Sequence, residues 1–195
     1  MRIGLFFGSF DPVHIGHIAL ATFVLNSKLV DKILMVPAFH NPWKSNKPVN
    51  FESRLSMCHY ATYSIDNIEI SSIEEELSKD NEPVNTYNTI EALKKQFPND
   101  ELIILMSNET FNEVKDWYMG EEIIHNNEFI LVSRNDATTN WRQLAGTKCN
   151  RVLKKFPRID VSSTMIRNYI EDGLEIVPWV PIDVAKYIKQ KELYK

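Results

Sequence analysis

Two histidines stand three residues apart in Gly8-Ser9-Phe10-Asp11-Pro12-Val13-His14-Ile15-Gly16-His17, between a short apolar run and a helical pattern. At the start of a helix that spacing turns both rings the same way. Gly8 and Ser9 are small enough for backbone amides to approach a phosphate, and Pro12 fixes the turn into the helix. Gly16 removes side-chain bulk where a nucleobase or sugar could lie. The helix N-terminus adds its own amides and partial positive charge. Together these groups make a donor array for a phosphoryl group. Two other readings use the same residues: a metal pair with Asp11 as third ligand, or histidines that only cap and pack. Neither explains why the glycines and histidines occur together in one strand-to-helix loop.

A second cluster, Val161-Ser162-Ser163-Thr164-Met165-Ile166-Arg167, also opens a helical pattern. Ser162, Ser163 and Thr164 can cap the helix amides or donate to phosphate oxygens. Arg167 lies one turn further on the same face and offers a planar fork for phosphate. Taken alone, the segment fits an ordinary Ser/Thr cap with a surface arginine equally well.

The elements that must position these clusters alternate in type. Strand-like runs cover Ile3–Phe7, Lys32–Pro37, Ile68–Ile70, Glu101–Met106 and Phe129–Ser133, and amphipathic stretches cover Ile15–Leu29, Phe51–Tyr63, Thr86–Phe97 and the region after Glu109. This alternation predicts an α/β fold, a doubly wound parallel sheet with helices on both faces. In such sheets ligands bind at the carboxyl edge, where the strand-to-helix loops lie. Ile73–Asn85, with Glu74-Glu75-Glu76 and Pro83, reads as a solvated surface excursion, Asn135–Asn140 as a polar loop, and Val180–Lys195 as a closing helix. Without repeats or low-complexity linkers, residues 1–195 read as a single domain.

Composition narrows the function. The chain has 195 residues, 44% hydrophobic and 25% charged, which suits a globular protein with a sizeable core. A net charge of -4 gives no global attraction to nucleic acid or anionic membrane, so a phosphate-rich ligand would need local cations. Cys58 and Cys149 have no metal-ligand spacing and read as reduced thiols of a cytoplasmic protein. The first apolar run is too short for a signal peptide or a membrane span. The oligomeric state, a homo-oligomer included, is left open.

HxGH behind a first strand resembles the signature of the nucleotidylyltransferase superfamily, Rossmann-like in fold. The fuller Gly8-to-His17 motif resembles bacterial nicotinate-nucleotide adenylyltransferases, with Phe7 where that family has a further glycine. Val161–Arg167 is similar to the superfamily's ISSTxIR segment. The resemblance implies that Gly8, Ser9, Phe10, His14, Gly16 and His17 hold ATP, with Ser162, Ser163, Thr164 and Arg167 on its β- and γ-phosphates. It runs from Met1 to about Ile188.

Segments between the two motifs resemble the pyridine-nucleotide branch. Lys44, in Asn41-Pro42-Trp43-Lys44, corresponds to a lysine of the second-strand loop, and Arg54 and Met57 fit the helix that follows. Thr86-Tyr87-Asn88-Thr89 stands for Thr-x-Asp-Thr, whose helix-start amides would receive a pyridine carboxylate; Asn88 replaces the aspartate and Asn85 a tyrosine. Trp117 would stack on the pyridine ring. Ser107-Asn108-Glu109 stands for Gly-x-Asp, leaving Glu109 to bond a ribose, and Arg134 corresponds to the arginine of an R-P-G element. Val180-Pro181, Val184 and Tyr187-Ile188 match a terminal helix that packs on the core.

The implied reaction is attack of a mononucleotide 5′-phosphate on the α-phosphorus of ATP, with pyrophosphate leaving. Phosphate is a competent nucleophile at neutral pH, so catalysis rests on positioning and charge stabilisation. His14, His17, Lys44 and Arg167 are the expected catalytic groups, and Mg²⁺ is expected to arrive on the ATP phosphates rather than in a protein cage. Alternatives are a pantetheine-phosphate or nicotinamide-mononucleotide adenylyltransferase and a non-catalytic nucleotide-binding relative.

Overall fold

Neighbouring residues of each long strand point into different cores, because a strand alternates faces with period two. Phe6, Ile33, Met35, Ile103, Leu105, Ile130 and Val132 enter one cluster. Ile3, Leu5, Leu34 and Val36 enter a second, and Ile104, Met106, Phe129 and Leu131 a third, both on the opposite face. Strands buried on both faces read as continuous apolar runs, which is why these were plain in the sequence.

The computed structural model describes residues 1–40, 49–79, 82–132, 150–153, 156–157 and 159–195, with the backbone alone at 150–152. The strands are β1 (Arg2–Gly8), β2 (Lys32–Pro37), β3 (Ile68–Ile70), β4 (Glu101–Ser107), β5 (Glu128–Val132) and β6 (Asn150–Leu153). They form a 6-stranded sheet in the order β3-β2-β1-β4-β5-β6. Every pairing is parallel. The helices are α1 (Ile15–Asn26), α2 (Phe51–Thr62), α3 (Ile73–Leu77), α4 (Thr86–Gln96), α5 (Asn108–Glu113), α6 (Gly120–Asn126), α7 (Ser163–Glu171) and α8 (Ile182–Gln190), with a 3₁₀ turn at Val114–Asp116. Helices α1, α2, α7 and α8 bury Leu20, Met57, Ile166 and Val184 on one sheet face. Helices α4 and α6 bury Ile90, Leu93 and Ile123 on the other.

β2 and β3 have the expected bounds; β4 runs one residue further at its end, β1 one residue further at both ends, and β5 starts and ends one residue earlier than expected. Ser133, expected to end β5, lies outside the described residues, as do Cys149 and the loop Asn135–Asn140. β6 was not anticipated, because Asn150–Leu153 is short and flanked by charge. The expected solvated excursion at Ile73–Asn85 needs correction. Its start folds as α3, and Glu74 is only 3% exposed. Cys58 is buried, and burial pushes its thiol well above the usual range. Among the described residues no helix is long and apolar enough to cross a membrane.

Candidate active site

The sheet order reverses at β1, whose partners β2 and β4 lead to opposite edges. At such a switch point the loops leaving the two central strands diverge and leave a crevice. The β1–α1 loop lies on one side of it. Ser107-Asn108-Glu109, at the end of β4, lies on the other.

His14 is the N-cap of α1 in extended conformation (φ -144°, ψ 170°), and His17 is the third helical residue. Their rings stack with centroids 3.6 Å apart. The His14 backbone N–H donates to His17 Nδ1 at 3.2 Å. With Nδ1 accepting, a neutral His17 ring carries its proton on Nε2, so its outer nitrogen is a donor. Gly16 has a structural reason beyond ligand access. A Cβ there would lie 2.9 Å from Val161 Cγ1 and 3.1 Å from the His14 ring. Gly8 is similarly covered, since a Cβ would meet the Phe10 ring at 2.8 Å. Phe10 itself is buried, with φ 46° and its ring edge-on to His17 at 5.0 Å. Its side chain is therefore a wedge under His17, and only its backbone can face a ligand.

The second motif closes on the first. Ser162 caps α7 by accepting from the Met165 N–H at 3.1 Å. Ser163 Oγ donates to the Pro12 carbonyl at 2.9 Å, 151 residues away in sequence. Arg167 Nη1 donates to the Asp11 carbonyl at 2.7 Å, and Nη2 to Thr164 Oγ1 at 3.1 Å. Val161 covers Gly16. Ser162 caps the helix as the plain reading expects, but Arg167 is tied to the first motif rather than lying loose on the surface.

Two buried ionic residues organise the loops, and the sequence reading gave neither that role. Arg54, 1% exposed, donates from Nε to the Val49 carbonyl (2.9 Å), from Nη1 to those of Ser9 (2.9 Å) and Ala38 (2.6 Å), and from Nη2 to that of Phe39 (2.7 Å). Burial lowers its pKa, with Asp11 pulling the other way. A signal did exist: Arg54 falls three residues after Phe51 and three before Met57, on the buried face of α2. Glu74 accepts from the Phe39 N–H at 2.8 Å and from Thr89 Oγ1 at 3.0 Å. Burial raises its pKa to about 7 against those hydrogen bonds.

The other expected residues divide. Thr89 is fully buried and spends its hydroxyl on Glu74, so it positions the start of α4 rather than facing a ligand. Thr86 is half-buried at that start and Asn88 is exposed. Trp117, half-buried, packs with Phe7 and Tyr87 against one apolar cluster. Glu109 Oε2 and Asn108 Oδ1 are buried without a hydrogen-bond partner among the described residues. Lys44 and Arg134 lie outside the described residues. Asp11 bonds Tyr194 Oη (2.8 Å) and approaches Arg167 (4.0 Å) rather than joining the histidines, and among the described residues no group of His, Cys, Asp and Glu could hold a metal ion.

A parallel sheet in the order 3-2-1-4-5-6, with a phosphate-type loop after its first strand, defines the Rossmann-like class of nucleotide-binding folds. Residues 5–169 match the cytidylyltransferase-like family. A probable nicotinate-nucleotide adenylyltransferase of Flavobacterium johnsoniae is 32% identical, with 100% of both chains covered. One of Carboxydothermus hydrogenoformans is 30% identical over 100% of this chain and 98% of its own. Plasmodium falciparum nicotinic acid mononucleotide adenylyltransferase complexed with NaAD superposes with a TM-score of 0.84 at 18% identity, covering 99% of this chain and 97% of its own. At that identity the superposition speaks for the fold. The chain belongs to the cytidylyltransferase-like family, in its nicotinate-nucleotide adenylyltransferase branch.

Proposed function

We propose that the chain transfers the adenylyl group of ATP to nicotinate mononucleotide. A 5′-phosphate oxygen attacks the α-phosphorus, the bond from that phosphorus to the oxygen bridging the β-phosphate breaks, and pyrophosphate leaves with nicotinate adenine dinucleotide as product. The observation that carries this reading is the closure of Ser163 and Arg167 onto Pro12 and Asp11, which brings two sets of phosphate donors to one sheet edge. In this reading His14 and His17 Nε2 serve the α-phosphate, and Ser162, Thr164 and Arg167 the leaving pyrophosphate. Preorganised donors of this kind stabilise charge as it develops. Glu109 Oε2, without a hydrogen-bond partner among the described residues, would accept from a ribose hydroxyl. Thr86, Asn88 and Trp117 would receive the nicotinate ring, and Lys44 and Arg134 the mononucleotide phosphate. The N–H and O–H donors at the site suit phosphate oxygens, and Mg²⁺, carried as part of the MgATP substrate, would supply charge neutralisation on the leaving pyrophosphate. Such chemistry belongs in the cytoplasm and needs no nucleic-acid partner.

The test is pyrophosphate release from MgATP with nicotinate mononucleotide, nicotinamide mononucleotide and phosphopantetheine in parallel. Strong preference for the first is expected. Preference for phosphopantetheine, or no release with any acceptor, would overturn the substrate assignment.

A further inference from the structure

Asp11 is the node at which the two phosphate motifs meet, and its carboxylate is held from an unexpected quarter. Tyr194, four residues beyond the end of α8, donates its hydroxyl to Asp11 Oδ1 at 2.8 Å across 183 residues of sequence. The segment after α8 is shaped for that reach. Glu192 and Tyr194 adopt left-handed backbone (φ 53° and 64°), and the Leu193 N–H returns to the Ile188 carbonyl at 3.1 Å. Leu193 and Tyr194 both pack against the main core. Two non-glycine residues in that region within three positions cost conformational energy, which their surroundings must offset.

The other contacts of Asp11 are weaker or come through its backbone. The Val49 N–H reaches Oδ1 at 3.4 Å, and Arg167 Nη1 lies 4.0 Å from Oδ2 while donating to the carbonyl at 2.7 Å. Asp11 is 4% exposed, so solvent supplies little of its hydrogen bonding. The Tyr194 hydroxyl is thus the shortest bond its carboxylate makes among the described residues. We propose that Tyr194 is a positioning residue for ATP: by fixing the Asp11 carboxylate it sets the orientation of Arg167 and of the loop that carries His14. Burial, and then the neighbouring carboxylate, keep the phenol above its ordinary range, so the hydroxyl remains a donor throughout the working pH. This inference rests on the ATP half of the proposed function and does not depend on the acceptor.

Tyr194→Phe removes the hydroxyl and keeps the ring. The experiment titrates the full chain and this variant calorimetrically with α,β-methylene-ATP and Mg²⁺. Kinetics with ATP and nicotinate mononucleotide and thermal unfolding accompany the titration. The expected result is a Kd for the analogue, and a KM for ATP, about tenfold higher, the scale of one hydrogen bond to a charged acceptor. KM for the mononucleotide should stay within about twofold and the thermal midpoint within a few degrees. In an Arg167→Met background the substitution should raise Kd by less than it does alone, since one of its two routes to ATP runs through Arg167. An unchanged Kd accompanied only by a lower thermal midpoint would overturn the proposal and reduce Tyr194 to an anchor for its segment. Should Tyr194→Phe not fold, Asp11→Ala removes the acceptor of the same bond: weaker analogue binding supports the role and unchanged binding overturns it. A chain that binds the analogue but releases no pyrophosphate with nicotinate mononucleotide would lose its acceptor assignment, with the Tyr194 comparison still intact. Failure of the unaltered chain to bind the analogue would overturn both.

Discussion

The loop after β1 and the start of α4 solve different problems with different materials. Around His14 the contacts are polar, directional and drawn from distant parts of the chain: Arg54 on Ser9, Ser163 on Pro12, Arg167 and Tyr194 on Asp11. Around α4 one polar clamp, Thr89 to Glu74, fixes the helix start. Beside the polar Thr86 and Asn88 that wall is mainly aromatic, with Phe7, Tyr87 and Trp117 on one apolar cluster. Phosphate recognition needs donors held at fixed angles, because a charge-assisted hydrogen bond loses value quickly with misalignment. A flat ring needs area and tolerates sliding. The first region should therefore be intolerant of single-atom changes and the second more forgiving.

The strongest test of that contrast is Arg54→Met. It keeps length and apolar bulk but leaves the carbonyls of Ser9, Ala38, Phe39 and Val49 without their shared donor. A loss of about 4 kcal/mol in denaturant unfolding is expected. A loss under about 1 kcal/mol would mean that the loops hold themselves. His14→Ala should leave the fold intact and lower turnover roughly 100- to 1000-fold, the cost of one preorganised donor. Near-normal turnover would remove His14 from the chemistry.

Glu74 sharpens the comparison through pH. Its pKa rises from 4.5 to about 7 in the folded chain, so between those values the folded state holds a proton that the unfolded state has released. Its contribution is complete below pH 4.5 and is lost as pH rises through about 7, up to about 3 kcal/mol in all. Glu74→Gln should flatten the fall in unfolding free energy across that window. An unchanged pH profile would show that the carboxyl does not titrate there. The smallest effect expected is for Trp117→Ala: about a tenfold rise in KM for the mononucleotide, with binding of the ATP analogue unaltered. Equal weakening of both ligands would erase the division into two regions.

Much of the fold was legible because a parallel sheet covered on both faces demands uninterrupted apolar strands, and β1, β2 and β4 supply them. β6 was not, since Asn150–Leu153 acquires strand character from pairing with β5 rather than from its own residues. In the site, His14, Gly16 and His17 were legible because a helix start sets their relation within four residues. The acidic run after β3 misled for the converse reason: three adjacent glutamates look solvated, and only packing against Phe39 and Thr89 takes Glu74 out of water.

Local chemistry is what the sequence determined alone: which loops gather imidazole, hydroxyl and guanidinium donors, and which runs must be strands. Tertiary structure decided which of those residues are buried as ties that hold the others. It turned Phe10 and Thr89 inward and gave Arg54, Asp11 and Glu74 their tasks as buried ties. It also brought Tyr194 back to the loop after β1. The physical reason is range. Helix starts and strand alternation are set within a few residues, whereas a buried charge is tolerated only where several distant segments converge to bond it, and no local pattern specifies that convergence.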